Sequence, residues 1–113
     1  MRIEVKGRNF VVDGDLRERV EKRFEKVDRQ VSELAHLDLE LFEERNPSIR
    51  ESQVAEATLH LKGATLRARD ASDNMQHAIH KVADELARQV KRHRDKRRRR
   101  RPSARAEPRA AAS

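Results

Sequence analysis

Between Val54 and Arg69 apolar and polar side chains alternate through most of the stretch, with one glycine near its middle. Ala55, Ala57, Leu59 and Leu61 fall on one face, and Glu56, Thr58, His60 and Lys62 on the other. After Gly63, Leu66 and Ala68 continue opposite Thr65, Arg67 and Arg69. A period of two marks strands buried on one face, and a glycine between two such strands predicts a hairpin turning near residue 63. An isolated hairpin is marginal in water, so its apolar face demands further strands beside it and a layer over it. The rest of the chain has to supply both.

It has the patterns to do so. Ile3 and Val5 alternate with Arg2, Glu4 and Lys6 as a short first strand that Gly7 ends. Leu37, Leu39 and Leu41 alternate with Asp38 and Glu40 as a second, closed by Asn46-Pro47, and a loop follows to about residue 51. Asp13-Gly14-Asp15 offers an N-cap to a helix over 15–34, on which Leu16, Val20, Phe24, Val27 and Val31 recur at helical spacing. Residues 70–73 offer capping groups to a second helix, marked by Met75, Ile79, Val82, Leu86 and Val90 and extending to the arginines near 97. The order β-α-β-β-β-α predicts an α+β two-layer sandwich: a four-stranded sheet, polar on one face, with two helices packed on the other.

At 113 residues the chain holds one such domain, expected over 1–97. Five consecutive arginines followed by Pro102-Ser103-Ala104-Arg105 carry no apolar period, so residues 98–113 read as a basic disordered tail. The absence of cysteine excludes disulfides, thiolate metal sites and thiol nucleophiles. No apolar run approaches the roughly 20 residues of a membrane span, and Met1-Arg2-Ile3-Glu4 does not open a signal peptide. A cytoplasmic protein with no membrane partner is therefore expected. Its net charge of +7 is unevenly placed. Residues 1–90 carry 16 Lys+Arg against 18 Asp+Glu, a balance of −2, whereas residues 91–113 carry 11 against 2, a balance of +9. A basic end on a near-neutral body points to a polyanionic partner, with a solubilising tail as the bland alternative.

The helix faces sharpen that choice. Around the first helix, an apolar sector is flanked by an acidic one (Glu18, Glu21, Glu25, Asp28) and a basic one (Arg19, Lys22, Arg23, Lys26, Arg29). Intermixed signs would gain ~0.2–0.5 kcal/mol per i,i+4 pair. Here just border pairs such as Glu18 with Lys22 and Glu25 with Arg29 have that spacing, and the segregated cations form a stripe suited to a phosphate backbone. On the second helix, Lys81, Arg88 and Arg92 lie away from the apolar positions, and Lys91, Arg94 and Lys96 widen the patch. The helix dipole accounts for a few cations there, but not for nine among the eleven residues Lys91–Arg101. With both helices on one side of the sheet, these basic faces would form a platform spanning neighbouring RNA backbones. The aromatics are three phenylalanines, Phe24 in a core position and Phe10 and Phe42 at the core or its edge. Base stacking is thus a minor resource, and phosphate and sugar contacts should dominate.

Enzymatic constellations do not emerge. Ser48, Ser52 and Ser72 lack a recognisable base and orienter, there is no glycine-rich phosphate loop, and the carboxylates spread rather than converge. His77 and His80, at i,i+3 with Asp73 and Asp84 a turn away, could hold a surface metal, but two imidazoles without a third placed ligand read as incidental. His36, His60 and His93 read as solvent-facing or RNA-edge residues. The expectation is a non-enzymatic protein with no cofactor and no metal, monomeric in solution.

Four segments, in their order and spacing on this frame, resemble one family. They are Val5-Lys6-Gly7-Arg8-Asn9; Glu44-Arg45-Asn46-Pro47; the hairpin from Val54-Ala55-Glu56-Ala57-Thr58 through Gly63-Ala64-Thr65-Leu66-Arg67-Ala68; and Asn74-Met75 followed by Ala78-Ile79. Together they are similar to the ribosome hibernation promoting factors, also called ribosome-associated inhibitors, over residues 1 to about 97. The Glu-Arg-Asn-Pro segment is most like the N-terminal domain of long-form factors from high-GC bacteria. Where the family commonly opens its second helix with Asp-Met-Tyr, this chain has Asn74-Met75-Gln76.

The resemblance implies a protein without catalytic activity that binds the small ribosomal subunit and its rRNA at the decoding region. There it would block mRNA and tRNA binding and inhibit translation under stress or in stationary phase. Family contacts to rRNA map onto Arg23, Lys26 and Arg29 of the first helix and Arg88, Arg92 and Lys96 of the second. Arg19, Lys22, Lys81, Lys91 and Arg94 join them on facial geometry. Long-form members continue into a second domain that pairs ribosomes, so this chain is expected not to dimerise ribosomes by itself. It would act on single ribosomes or with a separate ribosome-dimerising factor. The alternatives are a general RNA-binding or RNA-chaperone module with a basic tail, and an interaction protein using the sheet face through Glu56, His60, Lys62, Arg67 and Arg69.

Overall fold

The computed structural model describes the backbone of residues 1–46, 48 and 50–112, and the side chains of these as far as Arg98. Its elements are β1 (Arg2–Arg8), α1 (Gly14–Arg23), α2 (Glu25–Asp28), β2 (His36–Glu43), β3 (Gln53–Leu61), β4 (Ala64–Ser72) and α3 (Met75–Ala112). The backbone of the expected basic tail is part of α3 as far as Ala112, while its side chains beyond Arg98 lie outside the described residues, as does Pro47, expected to close the second strand. The strands form one mixed sheet in the order β1-β2-β3-β4. β1 pairs with β2 in parallel, and the other two pairings are antiparallel. A parallel pair needs a crossover, which α1 and α2 provide.

Alternation along the strands decides which side the helices cover. Val5, Leu37, Leu39, Leu41, Ala55, Ala57, Leu59 and Ala68 point into the core, where they meet Val20, Phe24 and Val27 of the first helical segment. From α3, Met75, Ala78, Ile79, Val82, Ala83, Leu86 and Val90 complete it. α3 lies on β3 and β4, and alanines on both surfaces allow the close approach. The sandwich is thus the expected one, with every described helix on one side of the sheet.

Local differences from the sequence reading have physical causes. β1 does not end at Gly7 but runs through it to Arg8. The glycine is needed there because a Cβ would collide with the Phe10 carbonyl, as the chain folds back through Asn9 at φ 54°. Gly63, at φ +77°, makes the hairpin turn as expected. The helix expected over 15–34 is bent at Phe24 (φ −94°, ψ 6°) and stops at Asp28. Its ladder survives the bend, since Asp28 N–H donates to the Phe24 carbonyl at 2.9 Å. From Gln30 onward the bonds tighten to i→i−3, and Ser32 Oγ accepts from Leu34 N–H at 3.0 Å, turning the chain toward β2. Phe42 is also placed differently. It is buried on the outer face of the sheet, outside the main core, beneath the guanidinium groups of Arg8 (4.2 Å from the ring centroid) and Arg69 (5.5 Å).

Candidate nucleic-acid interface

Both helical segments are started by side-chain caps that fix their faces. Asp13 Oδ1 accepts from Leu16 N–H at 2.8 Å at the head of α1. For α3 the capping acceptor is Asn74, whose Oδ1 takes the His77 N–H at 3.2 Å, rather than a residue of 70–73. With Val20, Phe24 and Val27 buried, the stripe of Arg19, Lys22 and Arg23 is held at the border between α1 and α3. These three line a cleft of about 510 Å³ together with Leu16, Val20, Glu25, Gln76 and Ile79.

Lys26 and Arg29 continue the stripe beyond the bend, with different partners. Lys26 is ion-paired to Asp84 of α3, bridging the two helical segments. Arg29 pairs with Glu25 at 3.5 Å, one of the two border pairs expected, while Arg19 pairs with Asp15 at 3.4 Å. Lys22 and Arg23 make no ion pair among the described residues.

On α3 the cations divide between two sides. Arg88 and Arg92 converge on Glu85, at 2.7 and 3.5 Å, with Lys91 beside them on the outer crest. Arg94 lies near Gln30 and Ser32, where the chain leaves α2, and Lys96 lies near Leu66 of β4. Lys81 is turned to the sheet, donating to the Ala71 carbonyl at 2.8 Å with Asp70 at 3.4 Å. It therefore ties α3 to β4, while Arg19, Lys22 and Arg23 line the α1–α3 cleft and Arg88, Lys91 and Arg92 the α3 crest.

Two groups absent from the sequence-derived set organise these areas. Hydrogen bonds from Arg88 and Gln89, and the charges of Arg88 and Arg92, hold the Glu85 carboxyl below its usual range. It stays ionised and fixes both arginines; the i,i+3 and i,i+7 spacing of Glu85, Arg88 and Arg92 was the legible signal. His80 lies across from the first helical segment, 3.3 Å from Asp84. Burial lowers its pKa, and Arg23, Lys26 and His77 lower it further through their charges. Arg23 of α1 and Lys26 of α2 thus both act on an imidazole of α3. The other half of the former metal candidate, His77, is bonded to Ser72 Oγ at 2.9 Å.

A mixed four-stranded sheet carrying its helices on one face places the molecule in the class of protein Y-like α+β domains. It superposes on the protein Y N-terminal domain of Thermus thermophilus with a TM-score of 0.70 at 26% identity, covering 82% of this chain and 99% of that one. A ribosomal subunit interface protein from Coxiella burnetii has the same fold, with a TM-score of 0.69 at 19% identity over 84% of this chain. Within that class, the chain belongs to the family described as Sigma 54 modulation protein / S30EA ribosomal protein, whose model matches residues 3–98. Among curated relatives, the ribosome hibernation promoting factor of Salmonella typhimurium is 30% identical over 96 residues, 85% of this chain and 96% of that protein. The ribosome hibernation promotion factor of Picosynechococcus is 29% identical over 97 residues, and the chain spans 50% of its length. Among the described residues, no helix is long and apolar enough to cross a membrane.

Proposed function

We propose that the chain is a cytoplasmic ribosome hibernation factor, or the ribosome-binding domain of one. It docks on the small ribosomal subunit through its helical side, at the decoding region and mRNA channel, and excludes mRNA and tRNA by occupancy. Translation is thereby silenced under stress or in stationary phase, without a chemical step. The names of the relatives support the ribosome as partner. The observation that carries the contact surface is that Lys22 and Arg23, which make no ion pair among the described residues, line the α1–α3 cleft.

Arg19, Lys26 and Arg29 extend that surface along the first helical segment, and Arg88, Lys91, Arg92, Arg94 and Lys96 along α3. Lys81, anchored to β4, adds to the field. The basic residues 98–113 add their charge to that of the docked domain. Affinity then comes mainly from phosphate neutralisation, and specificity from the shape of the rRNA groove.

Competition tests this reading. Small subunits and bulk RNA are offered together to the labelled full chain, and binding is followed by cosedimentation. Retention on subunits against a large excess of RNA phosphate is expected, together with inhibition of translation in a reconstituted system. Equal partition per phosphate would instead make the protein a general RNA binder.

A further inference from the structure

The outer face of the sheet, opposite the helices, carries a side-chain group that the ribosome reading does not use. In the strand register Glu4 of β1 is beside Asp38 of β2, and His36 of β2 is beside His60 of β3. All four point away from the core because Val5, Leu37, Leu39 and Leu59 take the inward positions. His36 Nε2 lies 3.4 Å from Glu4 Oε2 and 3.2 Å from Asp38 Oδ1. The second oxygen of that carboxylate, Oδ2, is 3.2 Å from His60 Nε2.

Two features set this group apart from an ordinary solvated face. Glu4 and Asp38 are like charges directly across a strand pair, a destabilising arrangement, and no Lys or Arg pairs with either among the described residues. In addition, His36 Nε2 is shielded from solvent, faces both carboxylates and makes no hydrogen bond.

We infer that Glu4, His36 and Asp38 form a binding site for a divalent transition metal of the zinc class. A tetrahedral ion ~2.0–2.1 Å from nitrogen and oxygen ligands holds those ligands about 3.3–3.4 Å apart. The separations of 3.4 and 3.2 Å from His36 to the two carboxylates are already of that size. The two carboxylates balance the charge of the dication, and the neutral imidazole supplies the nitrogen. His60 is a positioning residue: its Nε2–H donates to the Asp38 oxygen turned away from the ion and fixes the carboxylate's orientation. Three protein ligands leave a fourth position for water. The ion links β1 to β2 directly and to β3 through His60, on the side of the molecule away from the cationic cleft, so the inference stands apart from the ribosome reading.

The test uses the full chain, stripped with chelator and titrated with Zn²⁺ by calorimetry, with Co²⁺ as a spectroscopic probe. One equivalent is expected to bind, Co²⁺ to show the visible bands of a four-coordinate site, and Tm to rise on the order of 10 °C at zinc a hundredfold above Kd. Asp38→Asn and His36→Ala should abolish binding, and His60→Ala should weaken it about 10- to 100-fold. His77→Ala should leave it intact. Asp38→Asn also removes the like-charge pair, so without metal it should unfold at a urea concentration no lower than wild type, which separates lost binding from lost fold. Absence of zinc binding by the wild-type chain, or wild-type affinity in Asp38→Asn, would overturn the site.

Discussion

Neutralising Lys26, Arg88 and Arg92 together, as K26Q/R88Q/R92Q, separates a binding role from a structural one. Their side chains are 40%, 66% and 73% exposed, and their partners are Asp84 for the first and Glu85 for the other two. Exposed pairs of this kind contribute about 0.2–1 kcal/mol each, so the triple variant should lose roughly 1–2 kcal/mol and remain folded. If each cation neutralises one rRNA phosphate, each contributes about 0.7–0.9 to the slope of log affinity against log salt, and three contribute roughly 2–3. Between 50 and 200 mM salt, the wild-type chain should therefore lose about 20- to 40-fold more affinity than the variant. Cosedimentation with small subunits across that range reads the slope, and urea unfolding reads the stability. A variant that binds more weakly with the wild-type slope, or a wild-type chain indifferent to salt, would refute the phosphate-contact reasoning.

Other outcomes follow from the same geometry. Glu85 has its carboxyl held below the ordinary 4.5 by Arg88 and Gln89, so its contribution to stability is complete above that pH and is lost as pH falls through the folded value. Urea midpoints of Glu85→Gln should accordingly depend less on pH in the acid range, while its freed Arg88 and Arg92 steepen the salt dependence of binding. His80 should titrate below 6.5 by NMR, and R23Q/K26Q should move it upward. Because the unfolded chain then binds more protons, this group makes stability fall as pH drops from 6.5 toward the folded value. Bound phosphate should raise the same pKa against the opposing influence of Arg23, Lys26 and His77, with Asp84 already on its other side. Gly7→Ala should cost about 1–3 kcal/mol in denaturant unfolding, since its Cβ has no space beside Phe10.

The parts legible in the sequence are those written in a local period. The two-residue alternation of Val54–Arg69 and of residues 37–41 fixed which side chains face the core, and burial bears this out for Ala55, Ala57 and Leu59. Helical spacing identified Val20, Phe24, Val27 and the α3 stripe, all of them buried. The exposed cations were legible as positions on faces, because a helix places residues by angle alone. Element ends were less legible. The bend at Phe24, the stop at Asp28 and the Ser32 turn that follows are set by local backbone geometry, which no periodicity encodes.

The partner of each charged side chain escaped the sequence. Lys81 had the same facial credentials as Arg88, yet it is turned to Asp70 and the Ala71 carbonyl because α3 lies against β4. Asp84, 58 residues from Lys26, becomes its counter-ion through the crossing of the helices. Glu4, His36, Asp38 and His60 are scattered in the chain and read singly as solvent-facing groups. Only the parallel register of β1 with β2 and the antiparallel register of β2 with β3 set them side by side. Sequence alone determined the sandwich, its core and the sign of charge on its helices, since burial and amphipathicity repeat with the local backbone period. Tertiary structure decided which charges are spent within the protein and which remain for a partner, since ion pairs and ligand sets need distances of 3–4 Å between residues far apart in the chain.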